Sequence, residues 1–512
     1  MSDALKALTR RAAGLFAQGD GAGAAGLLHE AVRRAPDDPD ALSNLGFLYR
    51  STGHYQKALG SCERAAAFDE SELIRVEIAN CLVNLRRFGE ARAAFDRLLA
   101  TPQGRRAAAS SYLMALLYDP AAAPRLIADE HRRLTAAWRC DARKARARAP
   151  GKSLRVGYLT ADFFGDHPVA QFLAPLVERH AARGDIVSIA YDARPKDDGA
   201  AARMRRLVTV RTIDALEDDA AANLIRADDL DLLVDLSGHT SGRRLAVLGR
   251  RPAPVQASFI GYPSTTGYAA VDYLIGDGAL FPAGDETLYT ERLVRLPQSF
   301  LAFAPPPPMP APVPARKAGP VVFGSLNHLP KLNDGVIALW ADVLKAAPGA
   351  ALLLQCAAFA EPETRAGLAG AFAAHGIGGE RLRLEPPQSF AEAMTRYAEI
   401  DIALDPFPYN GGTTTAHALY MGVPVVTLSG RYFCGRMGAS LLSAAGRPEW
   451  IAATPADYVR IAAGLAARIA AGEALRADLL GANPRAPLFD VDQWADDVAA
   501  AYRAMAGDAL PL

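Results

Sequence analysis

Long apolar runs are missing from this 512-residue chain, and so is any excess of charge of one sign. No stretch approaches the roughly 20 apolar residues that a membrane-spanning helix needs. The N-terminus, MSDALKALTRRAAGLF, has no apolar core of the kind a secretory leader carries. Lys and Arg number 56 and so do Asp and Glu, so the net charge is zero and no global field selects nucleic acid. Cysteine is scarce. The five (Cys62, Cys81, Cys140, Cys356, Cys434) are scattered, with no CxxC and no Cys/His cluster to suggest zinc. An odd, scattered set suits a reducing compartment. The expectation is a soluble cytoplasmic protein with no membrane and no nucleic-acid partner. Three motifs are also missing: GxGxxG after the first strand, GxxxxGK before Ser or Thr, and GxSxG. Their absence argues against a dinucleotide enzyme, a P-loop nucleotidase and an α/β-hydrolase.

What is present begins with a repeat. Half of the residues are apolar and 22% are charged, an ordinary globular balance, and the length suits about three domains. Residues 1–118 carry a helical pattern rich in Ala, Leu and Arg. Gly19 and Ala24 recur as Gly53 and Ala58, 34 residues on, and Tyr55 and Ala58 recur as Phe88 and Ala91, 33 residues on. The middle unit reads NLGFLYRSTGHYQKALGSCERA. Small residues at fixed places let paired helices approach, and large ones fill the gaps. That spacing resembles the tetratricopeptide repeat, whose copies stack into a superhelix with a concave face. The first copy, GLFAQGDGAGAAGLLHEAV, is looser, and the third has Arg87 where glycine is usual. His29, His54 and His131 lie on helical stretches without metal-ligand spacing and read as structural.

Residues 119–152 read as a helical linker. Their basic part, HRRLTAAWRCDARKARARAPGK, interleaves only Trp138, too little aromatic surface for an RNA stripe, and fits a solvated helix end. From residue 153 the pattern becomes strand-helix alternation. SLRVGYLTADF, DIVSIAYDA, LDLLVDLSGHT, VQASFIGYP and DYLIGDG are short apolar strands, which predicts a parallel, doubly wound lobe over 153–302. A proline-rich strap over 303–320, FAPPPPMPAPVPARKAGP, is too dense in proline for a core element. The alternation restarts over 321–512 with VVFGSLNH, ALLLQC, RLRLEP, IDIALD and VPVVTLSG, giving a second such lobe, and a last amphipathic helix, VDQWADDVAAAYRAMAG, packs back on the body. Two lobes of this kind place a ligand cleft at the carboxyl ends of their strands.

The residues at those strand ends carry the chemistry. ADFFGDHPVAQFL places His167 before Pro168, and DLSGHTSGRRL supplies His239, Thr240 and Arg244. In the second lobe, SLNHLPKLND supplies Asn327, His328 and Lys331. The segment DPFPYNGGTTTAHALYMGVPVV puts Gly411, Gly412, Thr413, Thr414 and Thr415 at the mouth of a helix. Backbone N–H groups there have no partner inside the helix, and glycines let an anion approach them. A histidine that accepts a proton, a lysine that meets negative charge and a helix-mouth phosphate site suit transfer of a group that leaves as a nucleotide diphosphate. The bland alternatives are a turn-capping His167, a packed His239, a surface Lys331 and threonines that only cap their helix.

RVGYLTADFFGDHPVAQFL, DLSGHTSGRRL, RRPAPVQASFIGYPSTTG, FGSLNHLPKL, DPFPYNGGTTTAHALYMGVPVVTL and GRMGASLLSAAGRPEW together resemble the catalytic region of the protein O-GlcNAc transferase family in its bacterial form, over about residues 153 to 505. The resemblance implies a GT-B fold of two Rossmann-like lobes behind a repeat superhelix. It implies inverting, metal-independent transfer from a nucleotide sugar to protein Ser or Thr, with the acceptor held by the repeats. By position, His167 resembles the histidine near the acceptor hydroxyl, with His239 as a second catalytic candidate. Lys331 resembles the lysine on the donor diphosphate, and Thr413 and Thr414 the threonines there. Arg244 resembles a cleft arginine and Arg396 an arginine near the nucleobase; Asn327, His328, Gly411, Gly412, Thr415 and His417 complete the expected donor site.

Three positions depart from the family pattern. His417 stands where an Asp or Glu commonly bonds the ribose, Ala393 where a histidine stacks on uracil, and His328 where the family has an amide. All three concern the nucleoside. Related bacterial proteins with this layout modify flagellins with nonulosonic acids carried on CMP. The sequence therefore reads as a protein O-glycosyltransferase with a UDP-linked hexosamine donor. A flagellin-modifying enzyme with a CMP-linked donor and a catalytically decayed repeat adaptor are the alternatives. No metal and no cofactor beyond the sugar nucleotide are expected.

Overall fold

A computed structural model describes residues 3–17, 19–142, 152–163, 167–196, 199–313, 319–387 and 389–507. Parts of two expected linkers, 143–151 and 314–318, lie outside the described residues, as do Phe164, Gly165 and Asp166 of the first strand-end motif. The chain forms two compact units. One comprises residues 1–121, 316–409 and 455–473, and the other 122–315, 410–454 and 474–512. The expected lobe boundaries differ from this division, because the chain passes from one unit to the other inside DPFPYNGG, between Tyr409 and Asn410. Among the described residues no helix is long and apolar enough to cross a membrane.

The first unit opens with the repeats. Helices α1 (Asp3–Ala17), α2 (Gly21–Arg34), α3 (Pro39–Ser51), α4 (Tyr55–Ala66), α5 (Glu72–Asn84), α6 (Phe88–Leu99) and α7 (Pro102–Tyr118) follow one another. Several start where the sequence dictates: the Asp38 carboxylate accepts the Ala41 amide with Pro39 in the first turn, and Thr101 does the same for Gly104 ahead of Pro102. A Cβ on Gly46 would lie 2.4 Å from Cys62 Sγ, so α3 and α4 meet where there is no side chain. The turns inside the pairs use a left-handed residue, Gly19 at φ 88° and Gly53 at φ 84°. In the third pair that residue is Arg86, at φ 64°, and not Arg87. Arg87 lies one place later, as the residue that precedes α6.

The same unit holds four parallel strands, β8 (Val322–Ser325), β9 (Ala351–Gln355), β10 (Leu382–Glu385) and β11 (Ile402–Leu404), in the order β10-β9-β8-β11. Their register pairs Phe323 with Leu352 and with Ile402. Trp340, on helix Asp334–Ala346, is fully buried and donates its indole N–H to Tyr458 Oη at 3.2 Å. Tyr458 in turn donates to the Asp405 carbonyl at 3.1 Å, fixing the chain as it leaves β11. The repeats are joined to this lobe by Glu361, whose carboxylate accepts the Gln56 and Lys57 amides at 3.1 Å each, at the start of α4.

The second unit contains a seven-stranded parallel sheet. Its strands are β1 (Leu154–Thr160), β2 (Ile186–Asp192), β3 (Thr209–Thr212), β4 (Leu232–Asp235), β5 (Val255–Ser258), β6 (Tyr273–Asp277) and β7 (Arg292–Leu296), in the order β3-β2-β1-β4-β5-β6-β7. The central strands are buried on both faces, as crossover helices require. The edge strands β3 and β7 are not among the expected ones. Two further parallel strands of this unit, β12 (Val425–Leu428) and β13 (Ile451–Ala452), pair with each other. Helix α8 (Pro124–Thr135) was expected in a linker, but it is built into this lobe. Its His131 bridges the Ile127 carbonyl at 2.6 Å and Tyr262 Oη at 2.7 Å, and Arg132 donates to the Tyr289 carbonyl. Helix α9 (Pro168–Arg183) follows β1, and the last helix, Val491–Met505, packs against it, His180 Nε2 lying 3.1 Å from the Ala495 carbonyl.

Candidate active site

β1 ends at Thr160, and the loop that follows is held at Asp162. The Asp162 amide is held by Thr160 Oγ1 at 3.1 Å, and the Asp162 carboxylate is buried. Arg194, just past the end of β2, donates to Asp162 Oδ1 at 2.8 Å. His167 caps α9. Preceding a proline it is extended (φ −67°, ψ 134°), which suits the cap and lets its Nδ1 accept the Val169 N–H at 3.4 Å. Its Nε2 lies 3.7 Å from Asp162 Oδ1, and the side chain is 35% exposed. A neutral imidazole with an accepting Nδ1 carries its proton on Nε2, toward that carboxylate. Burial holds the pKa of His167 below its ordinary value, Asp162 pulling it up and Arg194 and Lys196 pushing it down. The ring is therefore neutral near pH 7 and able to take a proton. The bond at 3.4 Å is at the outer limit for its kind, so a better donor can replace it.

In the same unit, helix Thr413–Tyr420 begins at Gly412 with no side-chain cap. Its first backbone bond runs from the Ala416 amide to the Gly412 carbonyl, so the amides of Thr413, Thr414 and Thr415 precede any acceptor within the helix. Thr413 and Thr414 are half-buried, while Thr415 is buried and donates its hydroxyl to the Gly411 carbonyl at 3.1 Å. Thr415 therefore departs from its expected place in the donor site. His417 is a second correction. It was expected at the ribose, but it is buried, packs edge-on against Phe303, and its Nε2 lies 2.8 Å from Gln171 Oε1. Burial pushes its pKa down to about 3, so the ring is neutral and donates to the amide oxygen. Gln171 is one helical turn beyond His167, and His417 one turn beyond Thr413. This bridge ties the helix that His167 caps to the helix that the threonines open.

The first unit carries the other half of the expected set. A short turn, Leu329–Lys331, follows β8, and the His328 carbonyl accepts the Lys331 amide at 3.0 Å. His328 itself is exposed and Asn327 buried. Lys331 Nζ donates to Asn327 Oδ1 at 3.3 Å and lies 4.3 Å from the centroid of the Tyr409 ring. Arg396 is half-exposed, paired with Glu399 at 2.6 Å and Glu385 at 3.0 Å.

Two expected site residues are structural instead. His239 is buried, its Nε2 donates to the Thr266 carbonyl at 2.8 Å, and it packs among His131, Trp138 and Tyr262. Burial, and then the neighbouring His131, push its pKa well below the ordinary value. Arg244 is engaged at all three guanidinium nitrogens, by the carbonyls of Ile213 and Leu216 at 2.7 Å each and by Asp218. It holds the loop that follows β3. Conversely, Asp162, Arg194, Gln171 and Tyr409 were not singled out. Asp162 and Tyr409 stand inside the quoted motifs, and Arg194 follows a predicted strand. Their partners, however, are not adjacent in sequence.

Comparison with known proteins bears on the family and the fold. The family model described as glycosyl transferase family 41 matches residues 136–303 and 315–498, and a tetratricopeptide repeat model matches residues 15–72. The rice protein (Oryza sativa subsp. japonica) described as "Probable UDP-N-acetylglucosamine--peptide N-acetylglucosaminyltransferase SPINDLY" is 36% identical over 364 residues, covering 69% of this chain and 39% of that protein. The Arabidopsis thaliana protein of the same description with the name SEC is 28% identical over 367 residues, covering 69% of this chain and 37% of that protein. The chain thus spans about two-fifths of the length of the curated relatives it matches. A solved structure of a mutant of the Thermobaculum terrenum O-GlcNAc transferase superposes with a TM-score of 0.92 at 34% identity, covering 98% of this chain and 97% of that one. With a family model matched over more than half its length, the chain belongs to glycosyl transferase family 41.

Proposed function

We propose that this protein is an inverting protein O-glycosyltransferase that moves N-acetylglucosamine from UDP to a Ser or Thr hydroxyl of an acceptor protein held by the repeats. The observation that carries the reading is the Gln171–His417 bridge, which couples the start of the His167 helix to the mouth of the threonine helix. His167 takes the proton from the acceptor hydroxyl through the nitrogen that now caps α9. Asp162, anchored by Arg194, steadies the imidazolium that forms. The hydroxyl oxygen forms its bond to the anomeric carbon as the bond from that carbon to the diphosphate oxygen breaks. The electron pair of the broken bond stays on the diphosphate. The first-turn amides of Thr413 and Thr414 meet that charge, a role the family resemblance also gives to Lys331. In this reading they supply what a metal ion supplies in other nucleotide-sugar enzymes. The names of the relatives support the hexosamine and the UDP.

One observation favours a second donor. With His417 turned inward to Gln171, the helix offers no carboxylate at the position from which family members bond a ribose. A CMP-linked nonulosonic acid, with flagellin as acceptor, is the alternative that this changed nucleoside pocket admits. Calorimetric titration of the full chain with UDP and with CMP separates the two. The expected result is binding of UDP over CMP, with transfer from UDP-N-acetylglucosamine lost in Lys331→Ala by about 10² to 10³ in rate and the fold intact. Preference for CMP moves the assignment to the second donor. Binding of neither leaves a repeat adaptor, and full transfer by Lys331→Ala removes the leaving-group role of the lysine.

A further inference from the structure

The repeats touch the catalytic lobe of their own unit on both sides of Lys331. On one side, Tyr118, the last residue of α7, packs its ring 4.9 Å from that of Tyr409 at an interplanar angle of 34°. The Tyr409 ring lies under the Lys331 ammonium, 4.3 Å away. On the other side, Arg86, in the turn between α5 and α6, donates to the Leu332 carbonyl at 2.7 Å. Leu332 is the residue that closes the short turn ending in Lys331.

The backbone of Arg86 makes this second contact informative. Its φ is 64°, in the left-handed region where the two preceding repeats use Gly53 and Gly19. A residue with a Cβ is disfavoured there, and glycine removes the penalty. An arginine held in that conformation, with its side chain 16% exposed and its guanidinium on the carbonyl beside Lys331, marks strain retained for a purpose. Its other contact, to Asp334 at 3.4 Å, involves a carboxylate that is 98% exposed and contributes little.

We propose that the repeats are part of the seat of Lys331, and that Arg86 and Tyr118 are positioning residues acting on the lysine through Leu332 and Tyr409. This rests on the reading of Lys331 as the group that meets the leaving diphosphate. A lysine has a long flexible stem. Asn327 fixes its ammonium from one direction, the Tyr409 ring from another by attraction of the cation to the π face, and Arg86 fixes the turn that carries it. The acceptor-binding scaffold then sets the position of a group on which bond breaking depends.

The test uses the full chain and four variants: Arg86→Gly, Tyr409→Leu, Tyr409→Phe and Lys331→Ala. Arg86→Gly relieves the backbone, so a purely structural role predicts an unchanged or raised melting temperature and normal turnover. Positioning predicts the same melting temperature with kcat reduced by about tenfold and donor KM within about twofold, since the interaction matters in the transition state. Tyr409→Leu is expected to behave likewise, and Tyr409→Phe, which keeps the ring, to retain wild-type kcat. If Lys331→Ala loses transfer while Arg86→Gly and Tyr409→Leu keep wild-type kcat, the positioning role is refuted and the reading of the lysine stands. If Lys331→Ala keeps full transfer, that reading falls and the positioning role falls with it.

Discussion

Acid should destabilise the second unit well before it titrates most carboxylates, because buried imidazoles are held neutral there. His131 has its pKa pushed down to about 4 and His417 to about 3, both by burial, and His239 is pushed well below its ordinary value by burial and then by His131. In the unfolded chain each titrates near 6.5. Between that value and the folded one the unfolded state binds the extra proton, so stability falls as the pH falls, by about 1.4 kcal/mol per unit for each ring. From pH 7 to pH 5 that is about 2 kcal/mol each for His131 and His417, about 4 for the two, with His239 and His180, also lowered by burial, acting in the same direction. One group opposes it. Burial raises Asp235 to about 6, so the folded state takes up a proton that the unfolded state does not, returning about 1 kcal/mol by pH 5. Asp192 and Asp277, also raised by burial, act in the same direction. A net loss of about 3 kcal/mol from His131, His417 and Asp235 is large against the 5–15 kcal/mol typical of a domain. Urea unfolding at the two pH values, followed by tryptophan fluorescence, reads it, since Trp138, Trp450 and Trp494 lie in this unit and only Trp340 in the other. His417→Gln should start less stable at pH 7 but lose about 2 kcal/mol less on acidification. An equal loss in that variant and the wild type would refute the assignment of a neutral, proton-excluding site to His417.

Two further outcomes follow from the site. The rate of transfer, as kcat/KM, should fall with acid through a pKa below the ordinary histidine value, because burial depresses His167. Asp162→Asn should move that limb to still lower pH, as it removes the charge that raises the pKa, and a limb that stays in place argues against His167 as the base. Gln171→Leu should leave His417 Nε2 buried without its acceptor, costing about 1–3 kcal/mol of stability. It should also raise the donor KM, because the threonine helix loses its tie to α9; an unchanged KM would separate the bridge from donor binding.

Much of the fold is legible in the sequence, and the misses have physical causes. The buried central strands announce themselves as apolar runs. β3 reads TVRT with exposed and half-buried positions, and β7 alternates, so neither shows such a run. α8 has a clear amphipathic pattern, but periodicity does not say what the apolar face meets, and here it meets the lobe through His131 and Tyr262. His239 and Arg244 were placed by their position after a strand. Position fixes the Cα and not the direction of the side chain, and both turn into the protein. The glycine-threonine segment opens a helix as expected, because a helix start is set by the local sequence. Tyr409 sits in full view inside DPFPYNGG, yet its meaning depends on Tyr118, far away in the repeats.

The same contrast bears on why the phosphate half of the site keeps its pattern while the nucleoside half does not. A phosphate is held by amides at a helix start, and the only requirement on side chains is that they stay small or hydroxylic, as Gly411, Gly412, Thr413 and Thr414 do. A nucleoside is held by individual side chains, each replaceable. His417 shows the consequence of replacement. A carboxylate at that buried position beside Gln171 and Phe303 would need a ligand hydroxyl or a cation to offset its desolvation. A neutral imidazole needs only the amide oxygen it already has. Exchanging one for the other removes a donor contact and adds a permanent bond between α9 and the threonine helix. That bond holds the threonine helix to α9 through protein groups alone.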